Sequence, residues 1–308
     1  MSVLSKSYFH DEAAAFAHVE SVLWADGMVC PHCGNVEGFY DLAKTRIGLK
    51  KCSACRKQFT VRVGTIFEDS HLPLHKWLQA IHLVCSSKKG ISAHQLHRVL
   101  EVTYKTAWFL EHRIREAMRT GAFAPPMGGA GKVVEVDETY TGKWDAVTRK
   151  EMRDEGARGA AFKNVVLTLV ERGGEARSFH IESASVANVL PILRANLHRE
   201  TALNTDAAPL YRGQIGGEFA SHDFVDHGDA EYARGDVTSN TVEGFYSIFK
   251  RGMRGVYQHC SEKHLHRYLA EFDFRYSHRS ALGVEDGLRA ELALRGVAGK
   301  RLTYKKAH

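Results

Sequence analysis

Four of the six cysteines, Cys30, Cys33, Cys52 and Cys55, fall as C-x2-C, eighteen intervening residues, and C-x2-C. Two close thiol pairs at this spacing put four sulfurs on facing knuckle turns, the arrangement that completes a tetrahedron around zinc. The flanking residues agree with knuckles: Pro31, His32 and Gly34 surround the first pair, and KCSACRKQFTVR carries the second. The same four thiolates hold iron in other settings. Cys85 and Cys260 have no second cysteine nearby and are expected as small buried side chains. His259, His264 and His266 beside Cys260 are not expected to make a second metal site.

A ribbon of this size uses only a fraction of 308 residues. At roughly 100–200 residues per domain, there is room for two or three. A hydrophobic share of 44% and a charged share of 25% exclude wholesale disorder, collagen-like repeats and a coiled coil. No run of 18 apolar residues exists, so no membrane span is expected. The start, MSVLSKSYFHDEAAAFAHVE, lacks the basic stretch and apolar core of a signal peptide. A cytoplasmic location follows as the expectation, and there metal-bound thiolates are favoured over disulfides.

The net charge of +6 is unevenly spread. Residues 1–41 carry Asp11, Glu12, Glu20, Asp26, Glu37 and Asp41 against Lys6 alone. From Leu42 to Phe67 the sign reverses, with Lys44, Arg46, Lys50, Lys51, Arg56, Lys57 and Arg62 and no acid. A basic run beside a zinc ribbon points to phosphate contact, with Lys50, Lys51, Arg56 and Lys57 as DNA-binding candidates.

Residues 71–120 read as three helices. The first places Leu74, Trp77, Leu78, Ile81 and Val84 at helical spacing and stops near Gly90. Ser92 with Gln95 forms a capping-box pattern for a short helix burying Leu96, Val99 and Leu100. Thr103 caps the third, whose Ala107, Leu110, Ile114 and Met118 face inward while Tyr104, Lys105, Arg113 and Arg115 stay outside. Short helix, tight turn and basic helix make a helix-turn-helix, with Tyr104 and Lys105 placed to touch DNA. The Pro- and Gly-rich stretch from Ala122 to Lys132 marks the main boundary.

Beyond it, KVVEVDETY is a strand with Glu135 and Asp137 on one face and Val134 and Val136 on the other. Gly173 and Gly174 join two further strands as a hairpin. A helix over Ser185 to His198, with Pro191 weakening its first turn, precedes a strand from Thr201 to Asp206. That order gives a mixed sheet. From Asn240 onward, Asn240, Glu243, Ser247, Lys250 and Arg254 share one helical stripe, opposite Val242, Phe245, Tyr246, Phe249 and Met253. Leu265, Tyr268, Leu269, Phe272 and Tyr276 announce a core-packing helix. Carboxylates from separate elements are what a divalent-ion phosphoryl-transfer site needs.

The CPHC and CSAC knuckles, the helix-turn-helix, VEVDETYTG, the NTD of Asn204 to Asp206, SNTVEGFYSIFKRG and HLHRYLAEFDFRYSHR together resemble zinc-ribbon DDE transposases of bacterial insertion sequences, of the ISXO2-like family. The resemblance covers roughly residues 20–280 and is most specific in the last two motifs. It implies a multidomain α/β protein: a zinc ribbon, a helix-turn-helix, then an RNase H-like mixed-sheet catalytic domain. The expected segments are 1–67 for the acidic start and ribbon, 68–121 for the helix-turn-helix, 128–280 for the catalytic domain and 281–308 for a C-terminal tail. That tail is expected to be peripheral or to touch DNA.

The resemblance further implies cleavage and strand transfer of DNA at the element's terminal repeats. Structural Zn2+ and catalytic Mg2+ or Mn2+ would serve it, with Asp137, Asp206 and Glu243 holding the catalytic metal. Lys250, and Arg251 beside it, would contact DNA. Asn240 shares the polar face with Glu243 and is a supporting ligand or helix cap; subgroups of the family use either residue type as the third member. Glu135 and Glu138 rival Asp137 by proximity alone. A homo-oligomer on DNA is expected because two element ends react, with association to the nucleoid when bound. The alternatives are a metal-dependent nuclease or resolvase without a joining step, and a non-catalytic zinc-ribbon regulator.

Overall fold

The computed structural model describes residues 2–121, 124–142, 146–156, 162–226 and 233–303. Ala122 and Phe123, at the start of the expected boundary stretch, and residues 304–308 of the tail lie outside the described residues. In chain order, α1 is Glu12–Leu23, β1 Phe39–Asp41, β2 Lys50–Cys52 and β3 Gln58–Phe59. Then come α2 at Leu74–Ser86, α3 at Ala93–Leu100 and α4 at Tyr104–Met118. The next elements are β4 (Val133–Thr141), α5 (Ala146–Asp154), β5 (Asn164–Glu171), β6 (Ala176–Ile181), α6 (Val186–Asn196), β7 (Ala202–Asp206) and β8 (Ser221–Val225). Helices α7 (Asn240–Gly252), α8 (Glu262–Ser277) and α9 (Asp286–Arg295) complete the order. Among the described residues, no helix is long and apolar enough to cross a membrane.

Two compact units form, one from the residues up to Arg119 with those from Val284 onward, the other from Thr120–Gly283. In the first, β1, β2 and β3 make a small antiparallel sheet around Cys30, Cys52 and Phe59. The expected caps form: Ser92 Oγ accepts from the Gln95 N–H at 3.1 Å and Thr103 Oγ1 from that of Thr106 at 3.2 Å. Helix α2 has no side-chain cap of its own at Pro73. Glu12 of α1 fills the role, accepting from the Leu74 N–H at 2.8 Å and the His75 N–H at 3.2 Å.

Three expectations change here. Val99 is 54% exposed, because α3 is a two-turn helix that turns Ala93, Leu96 and Leu100 inward and leaves Val99 beyond that stripe. Arg113 and Arg115 are buried, not outside. Arg113 Nη1 donates to the carbonyls of Ile66 and Glu68, and its Nε to that of Leu302; Arg115 pairs with Glu111 one turn earlier. A helix packed on several sides has no outer face for these guanidiniums; backbone carbonyls satisfy Arg113 and the Glu111 carboxylate pairs with Arg115. Finally, α9 is no peripheral appendage: Arg289, Ala293 and Leu294 are buried, and the Arg289 guanidinium donates to the Cys85 carbonyl.

The second unit holds a five-stranded sheet in the order β6-β5-β4-β7-β8. Strand β5 runs antiparallel to both neighbours, while β4, β7 and β8 are mutually parallel, so the expected mixed sheet is present. Strand β8 and helix α5 had no clear sequence signal. Alternation sends Val134 and Val136 into the core under α6, and Val166 and Val170 into the core under α7 and α8. Pro191 stays inside α6 on its exposed side, where its missing N–H removes one backbone bond without ending the helix.

Helix α8 is tied to β6 by Asp273, which accepts from Ser178 N at 2.8 Å and Ser178 Oγ at 2.6 Å. Burial pushes its carboxyl from an ordinary 3.8 up to about 7, with the Ser178 bonds and Arg177 pulling down and Glu175 pushing up. A folded-state value raised this way gives stability that is complete below the ordinary carboxyl range and lost as pH rises toward 7. Asp273→Asn keeps the shape and a neutral group able to pair with Ser178. Its denaturation midpoint should therefore change less between pH 4 and 7 than that of the native chain; parallel curves would remove Asp273 from this account.

Candidate active site and metal centres

The two cysteine knuckles are built alike. Gly34 N–H donates to the Cys30 carbonyl at 2.9 Å and Arg56 N–H to that of Cys52 at 3.1 Å. Both fourth-following residues are left-handed, Gly34 at φ +74° and Arg56 at φ +62°. Cys30 and Cys55 sulfurs lie 3.7 Å apart and those of Cys33 and Cys52 3.8 Å apart, with all four within 4.8 Å. A zinc–sulfur bond of about 2.3 Å in a tetrahedron gives sulfur–sulfur edges near 3.8 Å, so the residues fit zinc. The N–H groups of Cys55 and Ala54 pull the Cys52 thiol down to about 7. Cys33, against the pull of the Asn35 N–H, is pushed up to about 11 by burial and the three other sulfurs. Four sulfurs this close need a cation to be thiolates together.

The basic residues of the ribbon divide into two groups. Lys50 faces Asp41 across the β1–β2 pair, with Nζ 3.0 Å from its carboxylate, and is turned inward. Its charge is thus shared with a cross-strand carboxylate. Arg56 and Lys57 are exposed and Lys51 is half-buried. Tyr104, 46% exposed, stacks on His94 at 4.4 Å, and Lys105 is exposed beside it.

In the second unit the paired register of β4 and β7 runs Val133 with Ala202 to Glu135 with Asn204. Continued two residues beyond the last pair, the same offset sets Asp137 and Asp206 level on adjacent parallel strands. Glu243 stands in the first turn of α7, which packs over this face of the sheet. Asp137 and Asp206 are half-buried, while Asn240 and Glu243 are exposed. Asp137 is pushed up to about 7, first by burial, then by Glu138 and Asp206, and further by Glu243, against the pull of the Glu138 N–H. The negative charge of Glu138, Asp206 and Glu243 is therefore felt at Asp137. A buried carboxylate surrounded by others in this way has the donor chemistry for a hard divalent cation. Among the described residues, the cysteine cluster is the one group of three or more ligand atoms within 4.8 Å of one another, so the carboxylates are more widely spaced.

The expected polar stripe and apolar stripe of α7 are present, since Val242, Phe245, Tyr246, Phe249 and Met253 are all buried. The rivals of Asp137 have other partners. Glu138 points to the opposite sheet face, where Tyr211 Oη donates to it at 2.6 Å. Glu135 is fully buried and accepts from Thr241 N at 2.7 Å and Val242 N at 3.0 Å. It caps α7, and Asn240, expected as a possible cap, is instead the first residue of that helix. Tyr246 Oη donates to the Asp137 carbonyl at 2.6 Å. Lys250 Nζ lies 5.7 Å from the Tyr246 ring centre, and Arg251 is exposed.

Arg172 and Tyr211 were not singled out by sequence, and Tyr246 only as a core residue. The sequence offers Asn240 as the cap of α7, and nothing local shows that Glu135 takes its amides instead.

Residues 129–277 match the family described as the ISXO2-like transposase domain, and residues 10–58 the transposase zinc-ribbon domain. Over 283 residues the chain is 28% identical to an uncharacterized protein in transposable element ISH50 of Halobacterium salinarum, covering 87% of this chain and 91% of that one. A cryo-EM structure of a simian T-cell lymphotropic virus intasome in complex with PP2A regulatory subunit B56 gamma aligns over 58% of this chain and 67% of that chain. Its identity is 14% and its TM-score 0.29, a superposition too loose to bear on fold or function.

Proposed function

We propose that the chain, whose residues 129–277 match the ISXO2-like transposase domain and residues 10–58 the transposase zinc-ribbon domain, binds the terminal repeats of its own element and cuts and joins DNA there. The observation that supports this most is the convergence of Asp206 of β7 and Glu243 of α7 on half-buried Asp137 of β4, whose carboxyl they help to raise. These residues would hold Mg2+ or Mn2+, which supplies Lewis-acid activation of water or a 3′-hydroxyl and stabilises the leaving oxygen. The protein's own part is to hold the carboxylates in place and present Lys250 and Arg251 to the phosphodiester, while Asp137 would be kept deprotonated by the cation. Asn240 would support Glu243 from the same helix face.

Lys51, Arg56 and Lys57 of the ribbon, with Tyr104 and Lys105 of α4, would engage the terminal repeat. Phosphate contacts are read by salt dependence, with a slope of about −0.9 per contact on duplex DNA. Replacing Arg56 and Lys57 by Ala should flatten the slope of log affinity against log salt by about one to two units. A slope equal to that of the native chain would take these residues off the DNA path.

The whole reading is tested with purified protein, Mg2+ and end-labelled terminal-repeat DNA beside a target duplex. Target-joined products are expected. Cleavage without joining would make the chain a nuclease, and binding without cleavage a regulator. Two ends react in one event, so a homo-oligomer on DNA is expected in the same assay.

A further inference from the structure

We propose that Glu135 is a positioning residue for the cation site, its carboxylate setting where α7 carries Glu243 relative to Asp137; this rests on the reading of Asp137, Asp206 and Glu243 as that site. Glu135 is 0% exposed and lies two residues before Asp137 on the same face of β4. Its Oε1 accepts from Arg172 Nε at 2.7 Å, Thr241 Oγ1 at 2.9 Å and Thr238 Oγ1 at 3.4 Å. Its Oε2 accepts from the backbone N–H groups of Thr241 and Val242 at 2.7 and 3.0 Å. A carboxylate has about four lone-pair sites, so five donors saturate it and leave none for a metal ion.

The bonds join the elements that carry the first and third carboxylates. Thr241 and Val242 immediately precede Glu243, and the negative charge sits at the positive end of the α7 dipole. Arg172, from the β5–β6 hairpin, extends the clamp: Nη1 donates to the Asp236 carbonyl at 2.6 Å and Nη2 to Thr238 Oγ1 at 2.9 Å. The segment entering α7 is thus held from both sides. One turn further on, Tyr246 reaches the Asp137 carbonyl. Between these ties the freedom of Glu243 reduces to its own side chain, which accepts from Ser239 Oγ at 3.1 Å.

The clamp matters differently for different cations. Mg2+ demands near-octahedral geometry at about 2.0–2.1 Å, whereas Ca2+ accepts six to eight oxygens in a flexible shell. Loosening α7 should therefore weaken Mg2+ far more than Ca2+. A role confined to holding the fold would lower the fraction of competent protein and affect both cations alike.

The test is calorimetric titration of the full chain with Mg2+ and, separately, Ca2+, without DNA, with Asp137→Asn defining background binding. Glu135→Gln is expected to weaken Mg2+ about tenfold or more and Ca2+ less than about threefold. Thr241→Val, which removes one donor and leaves Glu135 in place, should shift the same ratio in the same direction to a smaller extent. It carries the test if Glu135→Gln fails to fold. Equal losses for both cations, or unchanged binding of both, would overturn the positioning role alone. A native chain that binds neither cation above the Asp137→Asn background would overturn the carboxylate-site reading and the proposal with it.

Discussion

Asp137→Asn is expected to abolish cleavage and joining, by on the order of a thousandfold or more, while leaving DNA binding within about twofold of the native chain. The size follows from what a metal clamp contributes to a phosphoryl-transfer transition state, several kcal/mol at about 1.36 kcal/mol per tenfold. The separation of the two effects follows from the fold. Asp137 lies in the unit built from Thr120–Gly283, whereas the ribbon and α4 belong to the other. Asn is isosteric and neutral, and it removes a carboxylate that burial and its neighbours already push up to about 7. The metal-free variant should therefore be no less stable than the native chain at pH 8. Gel-shift binding together with product formation on labelled ends checks both halves. Normal joining by Asp137→Asn would end the assignment of this residue.

Loss of the ribbon's metal has the other large effect. The ribbon core consists of Cys30, Cys52 and Phe59, with a few half-buried neighbours including Trp24 and Phe39. So small an apolar cluster cannot offset the ordering of its loops. Structural zinc sites supply about 10–16 kcal/mol in peptides of this kind, enough to decide whether the segment folds. Cys52→Ser, or chelation of the native protein, should release one equivalent of zinc and open the residue 28–60 region to protease. Terminal-repeat affinity should fall by a factor on the order of a hundred, while the sheet of the second unit remains protected. A ribbon equally resistant with and without metal would show that packing alone sustains it.

The parts legible in sequence were those written locally. The cysteine spacing, the Ser92 and Thr103 caps, the Gly173–Gly174 hairpin and the two stripes of α7 each depend on residues a few positions apart. What sequence left open depended on partners far along the chain. Arg113 and Arg115 look like outward charges on α4 until Ile66, Glu68 and Leu302 surround the first and Glu111 neutralises the second. Lys50 looks like a phosphate contact until β1 sets Asp41 opposite it. Glu135 and Asp137 cannot be told apart by alternation, since both point to the same face. They separate only when α7 arrives and takes up Glu135, leaving Asp137 facing Asp206 and Glu243. The third member of the set, Glu243 or Asn240, is a matter for the same mutational assay as Asp137.

The clamp on α7 has a consequence for how the chain is made. Glu135 leaves the ribosome 106 residues before the Thr241 amide that it holds. At a synthesis rate of about 5–20 residues per second, its carboxylate waits roughly 5–20 s for that partner. Helix α7 has no side-chain cap of its own to nucleate early, and its apolar face requires a finished sheet. The first strand of the second unit is therefore translated well before the helix that carries Glu243. A polypeptide truncated before residue 240 carries Asp137 and Asp206 but lacks Glu243, Lys250 and the helix that presents them. On the proposed reading, nascent and prematurely terminated chains therefore lack a complete set of site carboxylates until α7 has been translated.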